Sequence, residues 1–255
     1  MRPVLVQSAM PLEVELLVSS LEGAMSDGSS VCPVTRGFIG DTLVLCSSGG
    51  VGKANAAATA ATLIERHSPA MIIITGCGGA YPGSGLATGE LAVASDEIFG
   101  DEGVIDPDGW HDLTFMSLPV HTRDGVSCYN SIPLSRHAAE RAVQLADSLG
   151  VRLVRGRFVT VSTCSGTGDR GLELVRQHQA VCENMEGAAI ALAALRYGIP
   201  CLEIRGISNL VEDRDMSRWN IPVAVENAQR FVLKVIEGLN RADAASHKGK
   251  AIPEV

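Results

Sequence analysis

No dense block of lysine or arginine occurs anywhere in the 255-residue chain, and a formal charge of −8 with a pI near 5.3 leaves no basic face to follow a phosphate backbone. Nucleic acid is not an expected partner. No stretch approaches the roughly 18 consecutive apolar residues of a membrane span, and the run Val4-Leu5-Val6 is too short for a signal peptide. Neither membrane insertion nor export is expected, and a cytoplasmic location is. The seven cysteines, at 32, 46, 77, 128, 164, 182 and 201, are odd in number and form no Cys-x-x-Cys pair. Several lie in apolar strand-like runs, as reduced, buried thiols do. The six histidines show no His-x-x-x-His spacing, so no metal site is indicated. Internal repeats, interdomain linkers and low-complexity blocks are missing as well. Apolar residues make up 46% of the chain, enough for one sizeable core, and the expected organisation is one domain over 1–240 with a flexible tail at 241–255.

What is present is an alternation of short apolar runs with helical patterns. Val4 to Gln7 reads as a strand, and Pro11 opens a helix with Leu12, Leu16, Leu17 and Leu21 on one face. A Gly/Ser-rich turn at 26–30 precedes a strand from Thr42 to Ser47, the glycine loop at 49–52 and an Ala-rich helix over 54–66. Ala70 to Thr75 is continuously apolar, as a strand buried on both faces is, and ends in Gly76-Cys77-Gly78-Gly79. Glycines there let a ligand approach the backbone. Further strands are expected at 91–96, 158–163 and 201–207, a long polar loop carrying Trp110 at 100–112, an amphipathic helix at 134–149, a polar loop at 209–220 and a closing helix to about 239. The run from Val181 to Ala189 puts the carboxylates of Glu183 and Glu186 on a helix's first turn, where free N–H groups and the macrodipole tolerate negative charge. Such a pattern implies an α/β protein, a mostly parallel or mixed sheet between helices, with ligands at the strands' carboxyl ends.

Three glycine loops raise the question of nucleotide binding. The loop at 49–52 lacks the first glycine of a P-loop, because position 47 is Ser, and Ala54 after Lys53 removes the magnesium hydroxyl. Gly166-Thr167-Gly168-Asp169-Arg170-Gly171 fits Gly-x-Gly-x-x-Gly, but the acid some 20 residues on, Glu186, precedes a helix instead of ending a strand. The bland alternative for all three is a tight strand-to-helix turn. There is no Gly-x-Ser-x-Gly elbow, and Cys164 has no local base to make a thiolate, so it reads as a buried structural thiol. What remains is a set of carboxylates and amides at strand ends: Glu13, Glu183 and Glu186, and Asn209 with Asp213. In a parallel-type sheet these converge on one crevice, where they could orient a water, grip a diol and hydrogen-bond a heterocycle. The bland alternative for Glu13 and Glu186 is helix capping.

The chain resembles the purine nucleoside phosphorylase/nucleosidase superfamily, and within it the methylthioadenosine/S-adenosylhomocysteine nucleosidase branch. Ala9-Met10-Pro11-Leu12-Glu13-Val14 is similar to that branch's Ala-Met-x-x-Glu-Val, and the stretch from Ser48 to Lys53 to its Gly-x-Gly-Lys loop. Thr75 to Gly79, Ser95-Asp96-Glu97, Asn184-Met185-Glu186 and Arg205 to Asn209 follow in the family's order. The resemblance implies a three-layer α/β/α sandwich about a twisted mixed sheet, usually oligomeric, binding a small nucleoside without metal or organic cofactor. Glu13 would deprotonate or orient the attacking water. Met185 and Glu186 would hold the ribose, and position 209 would face the purine N7 as the glycosidic bond breaks. Cys77, Gly79, Thr167 and Trp219 are the further substrate-binding candidates.

One departure from the branch shapes the expected chemistry. Asn209 stands where adenine-releasing members carry Asp, and an amide cannot protonate N7, whereas its NH₂ can donate to N7 and to the O6 of a 6-oxopurine. Gly166-Thr167 replaces a ring-stacking aromatic, which leaves Trp110 and Trp219 as candidates for that contact. The run from Cys182 to Ala189, with that from Glu203 to Asp215 and Ser217-Arg218-Trp219, is similar to a 6-oxopurine-specific branch that releases hypoxanthine from a nucleoside with an acidic 5′ tail. That implies a cationic partner at Arg214 or Arg218. A nucleosidase on adenine substrates, a phosphorylase and a non-catalytic nucleoside sensor or storage protein stay open, although pure binding has no use for Glu13.

Overall fold

The computed structural model describes residues 2–27 and 32–248, with side chains described as far as Leu239. In chain order it contains β1 (Val4–Ser8), a 3-10 turn at Pro11–Glu13, α1 (Glu15–Ser19), β2 (Glu22–Ser26), β3 (Thr35–Ile39), β4 (Thr42–Ser48), α2 (Lys53–His67), β5 (Met71–Ala80) and β6 (Leu91–Phe99). Next come β7 (Val104–Asp106), β8 (Gly109–His111), β9 (His121–Arg123), β10 (Val126–Cys128), β11 (Ser131–Pro133), α3 (Arg136–Leu149), β12 (Leu153–Thr160) and α4 (Gly168–His178). The chain continues through β13 (Ala180–Asn184), α5 (Gly187–Tyr197), β14 (Cys201–Leu210), a 3-10 turn at Met216–Arg218 and α6 (Ile221–Lys248).

A mixed sheet runs β11-β6-β12-β13-β5-β1-β4-β3-β2, with β14 pairing both β5 and β6. Helices cover both faces, so the expected sandwich is present. The period of two in β1 sorts the layers: Val4 and Val6 pack towards α1, α3 and α6, whereas Leu5 packs towards α2 and α5. On the α2/α5 side the helices present mostly alanine: Ala56 and Ala60 meet Ala188, Ala191 and Ala194, which lets the two helices lie close to the sheet and to each other. The α6 side uses larger groups, with Phe231, Val232 and Ile236 over Ile73 and Ile204.

The sheet also closes on itself. Because β14 bonds in parallel to β5 and antiparallel to β6, the strands β5, β14, β6, β12 and β13 form a ring whose interior holds Phe158, Cys182 and Ile207 beside three small alanines, 80, 92 and 94. Ring closure leaves only the short strand β11 as an edge at this end of the sheet and brings strands distant in sequence into contact. β13 is antiparallel to β5 but touches it only at Cys182↔Ala80 and Glu183↔Gly79, next to β5's carboxyl end. That short contact delivers the 183–186 run to the same place as Glu13 and Asn209.

Several expectations need correction. The helix expected from Pro11 is a 3-10 turn plus five α-helical residues; Leu12 is exposed, and Leu21 is buried beyond the helix. Glu183 is a strand residue, not part of a helix's first turn, and Glu186 is the N-cap residue of α5 but its side chain caps nothing. The polar loop at 100–112 contains the hairpin β7/β8, and β2, β3, β9, β10, β11, β13 and α4 are further elements that the sequence reading does not include. α6 runs nine residues past 239 into the expected tail; residues 249–255 of that tail and 28–30 of the expected turn lie outside the described residues. Cys164 is exposed, and Cys77 and Cys128 are part-exposed, whereas Cys32, Cys46, Cys182 and Cys201 are buried as expected. Among the described residues no helix is long and apolar enough to cross a membrane.

Gly206 shows how tightly α6 is seated on β14, since a Cβ there would run into the Ala224 carbonyl. Gly206→Ala should destabilise the fold by about 1–3 kcal/mol through overpacking, read as a lower denaturant midpoint at unchanged slope. An unchanged midpoint would mean that α6 can shift freely.

Candidate active site

At the carboxyl ends of β1, β5 and β14 lies a cavity of about 260 Å³ whose lining includes Glu13, Cys77, Gly79, Met185, Glu186, Asn209 and Trp219. β1, β5 and β14 are mutually parallel, which is why their ends share one edge. Of the residues singled out from the sequence, Thr167, Trp110, Asp213 and Arg218 are absent from this lining. Thr167 instead caps α4, its hydroxyl accepting from the Arg170 N–H at 3.3 Å, and Trp110 packs edge-on against His178 with ring centroids 5.5 Å apart.

Glu13 is buried, and its carboxylate accepts three backbone N–H groups. One oxygen takes those of Ala9 (3.0 Å) and Met10 (2.9 Å), the other that of Cys77 (3.0 Å). The side chain is thereby fixed in place without help from any flexible partner. Gly76, at φ +150°, makes room for it: a Cβ would sit 2.5 Å from Glu13 Oε1 and 3.0 Å from Arg205 Nη1. This glycine therefore admits protein groups. Cys77 follows it, and burial, then the charge of Glu13, pushes its thiol up to about 12, which rules out a resting thiolate.

Behind the cavity sits Arg205, only 2% exposed. Its Nε donates to Glu203 Oε1 (2.8 Å) and its Nη1 to the Cys77 carbonyl (3.2 Å), and Nη1 lies 3.6 Å from Glu186 Oε2. Burial by itself would lower the guanidinium's pKa, but the carboxylates of Glu203, Glu186 and Glu13 together raise it above its ordinary value. The other oxygen of Glu186 accepts from the Gly52 N–H (3.0 Å) at the start of α2. Glu186 is held by an arginine on one side and a glycine loop on the other, and its carboxylate lines the cavity. Burial raises its pKa, an effect that Arg205 and Gly52 partly offset. Lys53, which in sequence suggested phosphate, is instead tied to Asp101 (2.5 Å) and Glu102 (3.1 Å).

Asn209 reaches the cavity through a bulge. The β14/β5 register runs Ile207↔Gly78 and then Asn209↔Gly79, so Ser208 is the extra residue and Asn209 is re-aimed. The Asn209 Oδ1 accepts from Ser208 Oγ (2.8 Å), and one N–H of Nδ2 is taken by the Leu210 carbonyl (3.0 Å). One amide N–H is left for a ligand, not the two that would serve N7 and O6 together. Gly79 approaches Asn209 closely, its Cβ site lying 3.3 Å from Nδ2.

Around the mouth stand Met10, Val51, Met185, Cys164 and Trp219, with Arg214 stacked over the Trp219 ring at 4.9 Å. Arg218 is paired with Glu212 at 2.6 Å, so of the two arginines near Trp219 only Arg214 is turned to the cavity without a carboxylate partner. Burial and the Glu183 charge raise the Cys164 thiol, which argues against a nucleophile even though it is exposed. Glu183 is consumed internally: it accepts from the Ser165 N–H (2.9 Å), Ser165 Oγ (2.6 Å) and Tyr81 hydroxyl (3.0 Å). Sequence reasoning gave no role to Arg205 and Ser208, which line this cavity, or to Glu203, which lies buried behind it. A signal was there, since Glu203 and Arg205 interrupt an apolar strand at i and i+2 and so share one face. Among the described residues, no group of three or more His, Cys, Asp or Glu side chains is arranged to hold a metal ion.

A mixed α/β sheet closed by its last strand, with a carboxylate, a second carboxylate and an amide around one crevice, defines an enzyme that works on nucleosides. The chain belongs to the phosphorylase superfamily, whose family model matches residues 3–237, and it acts on N-glycosyl bonds. It is 32% identical to a futalosine hydrolase of Thermus thermophilus, over 79% of this chain and 84% of that one. It is 28% identical to a 5′-methylthioadenosine/S-adenosylhomocysteine nucleosidase of Lysinibacillus sphaericus, over 91% and 97%. Its fold matches the crystal structure of such a nucleosidase from Neisseria meningitidis bound to methylthio-immucillin-A, with a TM-score of 0.81 and 20% identity, covering 93% of this chain and all of the other.

Substituting Glu13→Gln tests the anchoring. A glutamine has one acceptor oxygen, so its NH₂ would face either the Cys77 N–H or those of Ala9 and Met10. Leaving a buried donor unpaired should cost about 1–3 kcal/mol of stability, and a Glu13 that acts as the general base expected from the sequence should, on replacement, lower kcat by about 10²–10⁴-fold. Wild-type turnover with a shifted melting temperature would assign Glu13 to structure alone.

Proposed function

We propose that the protein hydrolyses the N-glycosidic bond of a 6-oxopurine nucleoside, and that its substrate is futalosine, cleaved to hypoxanthine and dehypoxanthine futalosine in the alternative menaquinone pathway. The observation that carries this reading is the amide at position 209, set at the cavity by the β14 bulge with one free N–H. The amide can hydrogen-bond N7 of the departing base but cannot protonate it, which suits hypoxanthine, the better leaving group, more than adenine. Glu13 would orient and deprotonate the water, and Glu186, with Met185 beside it, would accept from the ribose hydroxyls. Arg214 over Trp219 offers a cation and an aromatic face to an acidic, aromatic 5′ tail. The similarity to futalosine hydrolases supports the same assignment.

Hydrolysis is favoured over phosphorolysis by the charges. The buried end of the cavity presents Glu13 and Glu186, and its one cation, Arg205, is already engaged by Glu203 and Glu186. A phosphate dianion there would face carboxylates, at about 4 kcal/mol per unit pair at 4 Å for an effective dielectric of 20. Water carries no such penalty. A nucleosidase on methylthioadenosine is the second reading, supported by the apolar mouth of Met10, Val51 and Met185 and by the similarity to the adenine-releasing enzymes.

Incubation with futalosine should release hypoxanthine at a rate independent of phosphate and faster than adenine release from methylthioadenosine. Asn209→Asp should reduce hypoxanthine release by at least about tenfold, because an ionised carboxylate has no hydrogen to offer N7. Faster adenine release by the wild type would reverse the order of the two readings, and phosphate-dependent turnover would make the protein a phosphorylase.

Glu186→Gln should weaken nucleoside binding by about 2 kcal/mol, roughly thirtyfold, as a charge-assisted bond becomes a neutral one. Its pKa is raised by burial, so in the wild type affinity is complete above that raised value and declines as pH falls through it, at a higher pH than for a solvent-exposed glutamate. The variant should lack this acid limb. A KM profile identical in both proteins would leave Glu186 without a role in binding.

A further inference from the structure

Glu97 and Glu203 are fully buried carboxyl groups that no step above uses. Glu203 Oε1 accepts from Arg205 Nε at 2.8 Å, but its Oε2 is buried with no N–H or O–H donor in reach. Glu97 is its neighbour: Glu97 Oε1 and Glu203 Oε2 crowd the same space beside the Gly187 α-carbon, where a Cβ would collide with both. Two ionised carboxylates in that position would repel in a low-dielectric interior. A single proton between them removes the repulsion and satisfies the orphaned oxygen. Burial first, and then the charge of Glu203, raise the pKa of Glu97 well above that of an ordinary carboxyl.

From this pair two chains of polar contacts lead to Glu186, one ending in an ion pair and the other in hydrogen bonds. One goes through Arg205, which binds Glu203 and lies 3.6 Å from the Glu186 carboxylate. The other goes through Glu97, whose Oε1 accepts from Asn184 Nδ2 at 2.6 Å; Asn184 Oδ1 in turn accepts the backbone N–H groups of Glu186 (2.9 Å) and Gly187 (2.7 Å). Thr160 adds a third bond, donating to Glu97 Oε2 at 2.7 Å while its Oγ1 accepts the Ala188 N–H at 2.8 Å. The first turn of α5 is thus capped by Asn184 and Thr160, both hung from Glu97, which frees the Glu186 side chain to face the cavity.

We infer that Glu97 and Glu203 form a proton-sharing acid–carboxylate pair that positions Glu186, holding its carboxylate through Arg205 and its backbone through Asn184. They are positioning residues, and the inference rests on Glu186 as the ribose grip. The pair has a definite polarity: Glu97 carries the proton and Glu203 the charge that meets Arg205. Glu203→Gln therefore preserves the network, because the amide oxygen accepts from Arg205 while its N–H donates to Glu97, which takes over the charge. Glu97→Gln cannot do the same. An amide N–H turned to Glu203 also meets the Asn184 N–H, and the reverse orientation sets oxygen against oxygen.

The test compares the wild type with E97Q, E203Q, E203L and E186Q, measuring KM for the nucleoside and inhibition by hypoxanthine, which touches only the base end. E97Q and E203L should raise KM by about tenfold, the worth of one buried hydrogen bond or more, with hypoxanthine inhibition unchanged and E203Q close to wild type. In the infrared, a protonated-carboxyl band of the wild type should disappear in both E97Q and E203Q. Should E203L fail to fold, the two isosteric variants still carry the comparison. A normal KM in E97Q beside an impaired E186Q overturns the inference alone, whereas an unimpaired E186Q overturns the ribose grip and the inference with it. Equal weakening of nucleoside and hypoxanthine, E203Q as impaired as E97Q, or a band that persists in both would also overturn it.

Discussion

One buried guanidinium holds the site together. Arg205 lies on the last strand of a closed ring, and removing such a charge from water is tolerable only if its hydrogens are met. Glu203 and the Cys77 carbonyl accept hydrogen bonds from it and Glu186 pairs with its charge, and each belongs to a different stretch of chain. The arginine therefore joins β14 to β5 and to the start of α5. Gly76 is required between them, because any side chain there would displace both Arg205 and Glu13.

This arrangement explains how a cavity with several acids keeps them distinct. Glu183 is turned inward and used up by Ser165 and Tyr81. Glu13 is fixed by backbone N–H groups alone, and Glu186 by an arginine and a glycine loop. Glu97 is paired with Glu203. Acids that look interchangeable in sequence thus face different partners, and the partners decide which carboxylate can act on a ligand and which only supports the fold. The neutral amide at 209 completes the set, with its orientation imposed by Ser208 and Leu210.

Much of the α/β layering was legible because period-two and period-3.6 patterns report burial directly: the apolar runs at 4–7, 42–47, 71–75 and 201–207 are all strands, and the Ala-rich segment after Gly52 is a helix. The short strands β2 and β3 were not legible, since Glu22–Ser26 is exposed throughout and Thr35–Ile39 is only partly buried. β13 escaped because its five residues carry two polar side chains, Glu183 and Asn184, that are buried by tertiary bonds and not by periodicity. Thr167 resembled a ligand contact in sequence but is an ordinary N-cap, the commonest fate of a Thr before a helix.

The sequence by itself determined the residue types and their order: an acid after the first strand, an acid before the Ala-rich α5, an amide after the last strand, and no basic surface. Those follow from local chemistry and need no coordinates. Only the tertiary structure decided which of them meet. Closure of β14 between β5 and β6, the two-residue contact of β13 with β5, and the bulge at Ser208 bring positions as distant in sequence as Cys77 and Arg205, or Gly52 and Glu186, within hydrogen-bonding range. Such convergence depends on strand pairing over long sequence separations, where the energy lies in packing and in satisfying buried charge, and neither is written in any local pattern.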